Sequence, residues 1–383
     1  MIHVEVRPAI LRWAIARSRR SSVEFERKFP KLPSWLRGEA NPTLKQLESF
    51  AQAARTPVGY LFLSEPPAEQ LPLPDFRTAA GSAMAPPSAD LLETIYTCQL
   101  RQDWYRDFAR ANGEQALNFV GSARLTDSVP ESAARIRRVL GFDLEERRRM
   151  GTWSEALRQF MIQADEAGIL VMASGIVGAN TRRVLDPQEF RGFTLADELA
   201  PLIFINAADT KAAQMFTLAH ELAHVWLGRS ALSDAEARSE PSHEVESWCN
   251  QVAAELLVPL DAFRDELRSR AAPRDEAQRL ARMFKVSTLV ILRRMYDVRA
   301  LRHNEFQQAY RAELDRLESL PARSEEGGDF YATLGARAGR RFVRAVVASA
   351  LEGHTLFRDA YRLLGVKKEA TFWKATVKLG FEV

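Results

Sequence analysis

Only two cysteines, Cys98 and Cys249, occur in the 383 residues, and they lie far apart in sequence. That leaves no disulfide framework and no thiolate zinc pattern, which fits a reducing cytoplasm. Apolar runs long enough to span a bilayer are missing, as is a signal-peptide pattern, so nothing points to a membrane or to export. Charge of one sign is scarce as well: the formal net charge is +3. Its distribution says more, because residues 1–60 hold eleven Lys or Arg against five Glu, a surplus of six, and the remainder is net −3. What is present is ordinary for a soluble globular chain, with 46% hydrophobic and 27% charged residues. The length suffices for about two or three domains with real cores.

Histidine is rare too, at six residues, yet two of them fall in TLAHELAHVWLG, Thr217 to Gly228. His220, Glu221 and His224 form H-E-x-x-H, a pattern that six histidines produce by chance roughly one time in a hundred. On a helix, positions four apart share a face, so both imidazoles can grip one metal ion with Glu221 beside it. Ala212, Met215, Phe216, Ala219, Leu222, Ala223, Trp226 and Leu227 supply helical apolar periodicity, Asp209 or Thr210 can cap the start, and Gly228 can end it. A catalytic zinc needs a third protein ligand and an open position. Downstream, EPSHEVESWCNQVAAELLVP runs from Glu240 to Pro259, with Pro241 suited to a first helical turn. Glu246, Asn250, Ala253 and Leu257 recur at helical spacing. Glu246 is therefore the expected third ligand, with Glu240, Glu244 and His243 competing for that role. Asn250, one turn on, is placed to hydrogen-bond a ligand histidine and orient it.

MFTLAHELAHVWLG, the ExxxN spacing and AAELLVP together resemble the ImmA/IrrE family of zinc metallopeptidases. The resemblance implies Zn2+ as cofactor, His220, His224 and Glu246 as its ligands, and Glu221 as the catalytic glutamate. Cys249 stands where the family usually has alanine. The N-terminal run W-x-x-G-E-x-x-P-T-L, Trp35 to Leu44, is similar to part of the XRE-type helix-turn-helix domain that precedes the peptidase in many members. Pro30 and Pro33 interrupt the span where a recognition helix belongs, leaving little more than Lys31, Ser34 and Arg37 to face DNA. DNA binding is thus expected to be weak, and a degenerate module for protein contact is the alternative.

The fold class expected is α+β and mostly helical. A zincin-like peptidase core, made of a small sheet, the H-E-x-x-H helix and a Glu-bearing helix, is flanked by all-α N-terminal and C-terminal modules. The boundaries read as 1–65 for the helix-turn-helix-like part, 66–150 for a Pro-rich connector and helices, and 151–260 for the peptidase. Residues 261–318 read as helical support with a possible second helix-turn-helix, and 325–383 as a helical partner-binding region. Ser319 to Asp329 reads as a flexible boundary. One helix is expected from Leu91 to Asn112 and another from Glu131 to Arg149, with strands at Ile169 to Ala173 and Pro201 to Asn206. The second strand, with Ile203, Phe204, Ile205 and Asn206, is the candidate edge for pairing with extended substrate backbone.

The function expected is a cytoplasmic zinc endopeptidase that cleaves a regulatory protein such as a repressor. The C-terminal part is similar to family tails that sit beside toxin-like nucleases, which implies such a partner. The rival reading is a DNA-binding or toxin-binding regulator, or antitoxin, whose zinc is structural or sensory.

Overall fold

A computed structural model describes residues 3–69, 71–75, 86–233, 244–268, 271–319 and 330–378. Glu240, Pro241 and His243 lie outside them, as does most of the expected boundary at 319–329. The described chain is mostly helical with one small mixed sheet, an α+β arrangement. It divides into two compact units.

The first unit comprises residues 1–72 and 79–97. Its helices are α1 (Pro8–Arg17), α2 (Ser22–Lys28), α3 (Leu32–Arg37) and α4 (Leu44–Ala53), followed by a 3-10 turn at Val58–Phe62. Ile10, Leu11, Ala14, Phe25, Phe29, Leu32, Trp35, Leu47 and Phe50 form its core. Local sequence sets the ends: Pro33 lies in the first turn of α3, Gly38 closes it with φ 75°, and Thr43 and Gln46 form a capping box on α4. Helix α5 (Ala89–Ala111) starts in this unit and continues into the second.

The second unit comprises residues 73–78 and 98–383. It opens with α6 (Val129–Leu140), α7 (Leu144–Arg149) and α8 (Trp153–Glu166), then β1 (Leu170–Ser174), β2 (Gly192–Leu195) and β3 (Leu202–Asn206). The single helix expected over Glu131 to Arg149 is two, because Gly141 takes φ 60° and Asp143 recaps the chain by accepting from the Glu145 and Glu146 amides. After β3 come α9 (Lys211–Leu227), β4 (Ala231–Ser233) and α10 (Glu244–Leu257). The chain continues through α11 (Leu260–Glu266), α12 (Pro273–Phe284), α13 (Thr288–Asp297) and α14 (His303–Glu318). It finishes with α15 (Phe330–Ala338), α16 (Arg340–Leu351), α17 (Phe357–Leu364) and α18 (Glu369–Lys378).

The sheet has the order β1-β3-β2-β4. β1 runs parallel to β3 from Leu170↔Leu202 to Ser174↔Asn206, and β2 runs antiparallel to both β3 and β4. The edge role expected for Ile203, Phe204, Ile205 and Asn206 is therefore overturned. β3 has a neighbour on each side and all five of its residues are buried, so its backbone groups are taken by β1 and β2. The edges among the described strands are β1 and β4. Helices α15 and α16 pack on β1, which buries Leu334, Ala338, Phe342 and Val346 within this unit.

Candidate metal centre

Helix α9 is buried on every side from Gln214 to Trp226, as suits a helix at the centre of a core rather than on its surface. Thr210 caps it by accepting from the Ala213 amide, and Gly228 ends it with φ 64°. That ending also needs glycine for space, since a Cβ on Gly228 would lie 2.8 Å from the Cα of Gly121. Trp226 stacks on Phe119 at 4.5 Å between centroids, and α10 packs along α9. Two carbonyls at the end of α10, those of Glu255 and Leu257, accept from Arg137 and Arg147, and the buried Arg294–Glu255 pair, at 2.8 Å, fixes the same turn.

This packing brings His220, His224 and Glu246 together. Their ligand atoms lie within 4.8 Å of one another, and no other such group of three occurs among the described residues. His220 Nε2 is 3.1 Å from Glu246 Oε2, His224 Nε2 is 3.0 Å from Glu246 Oε1, and the two Nε2 atoms are 3.1 Å apart. Ligand atoms around a tetrahedral zinc with bonds of about 2.0–2.1 Å sit about 3.3 Å apart, so the spacing fits. Asn250 Oδ1 lies 2.8 Å from His220 Nδ1. An amide oxygen can only accept, so Nδ1 carries the proton and the lone pair of Nε2 points at Glu246 and His224. Nitrogen lone pairs and a carboxylate cannot face each other at 3 Å in a buried site unless a proton or a cation lies between them. The donor set therefore suits a divalent, nitrogen-tolerant ion such as zinc.

Burial and charge pull against each other here. Burial opposes charge on His220, but the Glu246 carboxylate outweighs it and raises the imidazole pKa. On His224 burial prevails, and its pKa falls. Burial would raise Glu246, yet the two imidazoles hold it well below the usual carboxylate range. Glu221 differs: burial pushes it up to about 7, against the pull of His220 and the Thr194 hydroxyl. His220, Glu221 and His224 have no exposed surface, and Glu246 is 4% exposed.

Residues that the sequence did not single out complete the site. Thr194 Oγ1 donates to Glu221 Oε2 at 2.7 Å, and Ser233 Oγ is 3.4 Å from His224 Nε2. Gly192 opposes Glu221 from β2, where a Cβ would lie 3.1 Å from Glu221 Oε1 and 2.6 Å from Thr217 Cγ2. Glu221 Oε1 has no hydrogen-bond partner among the described residues. Strand register alone places these three beside α9, so no local motif marks them.

The other sequence candidates lie elsewhere. Glu244 is exposed at the start of α10. Ile203, Phe204, Ile205 and Asn206 are inside the sheet, with Asn206 Nδ2 donating to the Phe190 carbonyl. In the first unit, Lys31 is exposed and Ser34 half-buried at α3, while the exposed Arg37 is held by Glu39 through two hydrogen bonds of 2.7 and 2.8 Å.

Residues 164–296 match the family model of the IrrE N-terminal-like domain. The match covers β1 through most of α13 and includes the whole cluster, which points to a metallopeptidase-like domain of the ImmA/IrrE type. Residues 338–375 match a Domain of unknown function (DUF8813), and neither span includes residues 1–65. No curated protein and no solved structure matches the chain.

Proposed function

We propose that the second unit is a zinc-dependent endopeptidase with a zincin-like core, and that it acts on a regulatory protein such as a repressor in the cytoplasm. The observation that carries the reading is the convergence of His220, His224 and Glu246 with a fourth buried group, Glu221, that is not needed as a ligand. His220 and His224 would hold the ion through Nε2 and Glu246 through its carboxylate, with Asn250 fixing the His220 tautomer. Zinc, when bound, supplies Lewis acidity that activates water and polarises a peptide carbonyl. Glu221 is the base: buried beside the three donors and not needed as a ligand, it takes a proton from the attacking water and returns it to the leaving amine. The Thr194 hydroxyl holds Glu221 Oε2 and leaves Oε1 for that transfer.

The cluster has three donors among the described residues, the number a catalytic zinc keeps, whereas structural sites take four. A second reading, a regulator whose zinc is structural or sensory, is favoured by one observation: all four groups are almost fully buried, as in a closed site. The choice of a regulatory protein as substrate, and any toxin-like nuclease or DNA partner, rests on the family resemblance alone.

Purified protein should contain one zinc per chain and cleave an unstructured protein such as β-casein in a chelator-sensitive way. Glu246→Ala should lose both metal and cleavage, while Glu244→Ala keeps both. Full zinc occupancy in Glu246→Ala would remove it from the ligand set.

A further inference from the structure

Strand β4 enters the metal site through a single side chain. Its last residue, Ser233, is paired across from Gly192 on β2, and Ala231 is paired across from Thr194. Residues directly opposite one another in a sheet project from the same face, so Ser233 shares the face from which Thr194 Oγ1 reaches Glu221. From there Ser233 Oγ comes to 3.4 Å from His224 Nε2, and the residue has no exposed surface. The same hydroxyl faces the Glu221 carboxyl and draws its pKa down against the larger effect of burial.

His224 Nε2 is thus one corner of a compact set: Glu246 Oε1 lies at 3.0 Å, His220 Nε2 at 3.1 Å and Ser233 Oγ at 3.4 Å. Two of these three are expected ligand atoms. The third stands off by nearly the same length, close to the spacing of about 3.3 Å between ligand atoms around a tetrahedral zinc.

We propose that Ser233 is a resident fourth oxygen donor to the ion held by His220, His224 and Glu246, and that it occupies the position the attacking water needs. The inference rests on the metal-dependent peptidase reading and specifies how that centre is kept latent.

A serine hydroxyl carries two lone pairs and one proton, so it can accept and donate at once. With an ion in the cluster the Nε2 lone pair of His224 is taken, and the hydroxyl has nothing to donate to there. Its lone pair then turns to the ion and its proton to Glu221, the two contacts that an activated water would make. Full burial leaves no bulk water to satisfy the hydroxyl instead. A neutral hydroxyl is also a weaker donor than the thiolates, imidazoles and carboxylates that fix zinc sites, so it fills the position without sealing it. Water enters by exchange: one neutral oxygen donor leaves with its proton as another arrives, and the charge of the site is unchanged.

The test uses the full-length protein loaded with Co2+, whose visible spectrum reports its ligands, and needs no turnover. Ser233→Cys sets a soft thiolate in the same place and should give a sulfur-to-cobalt charge-transfer band that wild type lacks. Ser233→Ala should keep one Co2+ per chain, because the three stronger donors remain. It should bind acetohydroxamate, read from the same spectrum, roughly tenfold more tightly than wild type, the gain expected if the hydroxyl holds the position about nine-tenths of the time. Each variant is decisive if the other folds poorly. A cobalt-loaded Ser233→Cys without the band, or equal acetohydroxamate affinity in wild type and Ser233→Ala, would overturn the proposal. Neither readout involves cleavage, so a wild type that binds cobalt and cleaves nothing would sink the peptidase reading alone.

Discussion

Asn250→Ala is the change that most narrowly probes how the cluster is built. Asn250 sits one turn after Glu246 on α10, and its Oδ1 accepts from His220 Nδ1 at 2.8 Å. Without that acceptor the imidazole can move its proton to Nε2, the atom that faces Glu246 at 3.1 Å, and in that tautomer it cannot bind metal. Losing such an orienting partner typically costs about 10–100-fold in metal affinity, or about 1.4–2.7 kcal/mol. The fold should survive, because the truncation removes a single half-buried amide. Zinc affinity would be read by competition with a chromophoric chelator at pH 7, with Gln251→Ala, an exposed neighbour, as control. Asn250→Asp keeps an acceptor and should bind zinc at least as well as wild type. Equal zinc affinity in Asn250→Ala and wild type would show that the tautomer is set by something else.

Other expectations follow from the packing. Gly192→Ala would place a Cβ 2.6 Å from Thr217 Cγ2 and 2.9 Å from the Phe204 carbonyl, an overpacking worth about 1–3 kcal/mol and visible as a lowered melting temperature. Arg294→Ala leaves Glu255, with 8% of its side chain exposed, buried without its main partner; denaturant titration should show a loss of about 3–5 kcal/mol. Burial pushes the Cys98 thiol up to about 12, so it should resist a thiol reagent at pH 8 until the chain unfolds. A raised folded-state pKa also means that the unfolded chain gives up its proton first. The Cys98 contribution to stability is whole below pH ~8.5 and is lost as pH rises towards 12, which Cys98→Ala should abolish in a pH series of denaturation curves.

The grouping of His220, His224 and Glu246 was legible because its spacing is local. His220, Glu221 and His224 follow from one helical period, and Glu246 with Asn250 from another. The helix ends were legible for the same reason, since Thr210 and Gly228 act through their own backbone neighbours. What the sequence hid was lateral. Apolar content made LIFIN a strand, but only the register shows that β3 is central and that β4, a three-residue strand too short to announce itself, borders the site. Thr194 and Ser233 meet Glu221 and His224 through that same register, and a Pro-rich stretch that reads as a connector supplies a partner to β4. Gly141 split an expected helix because a left-handed residue and a new cap can interrupt a periodic pattern without disturbing it.

The most direct test of a hydrolytic zinc centre is Glu221→Gln, which keeps the size of the side chain and an acceptor for Thr194 but removes the base. Wild type and variant would be compared at matched zinc content and matched melting temperature, with the cleavage rate of β-casein as readout. Loss of cleavage by a factor of ~10²–10⁴ with metal retained is the outcome expected of a general base. Equal rates in the two proteins would contradict it and leave His220, His224 and Glu246 as a structural or sensory site.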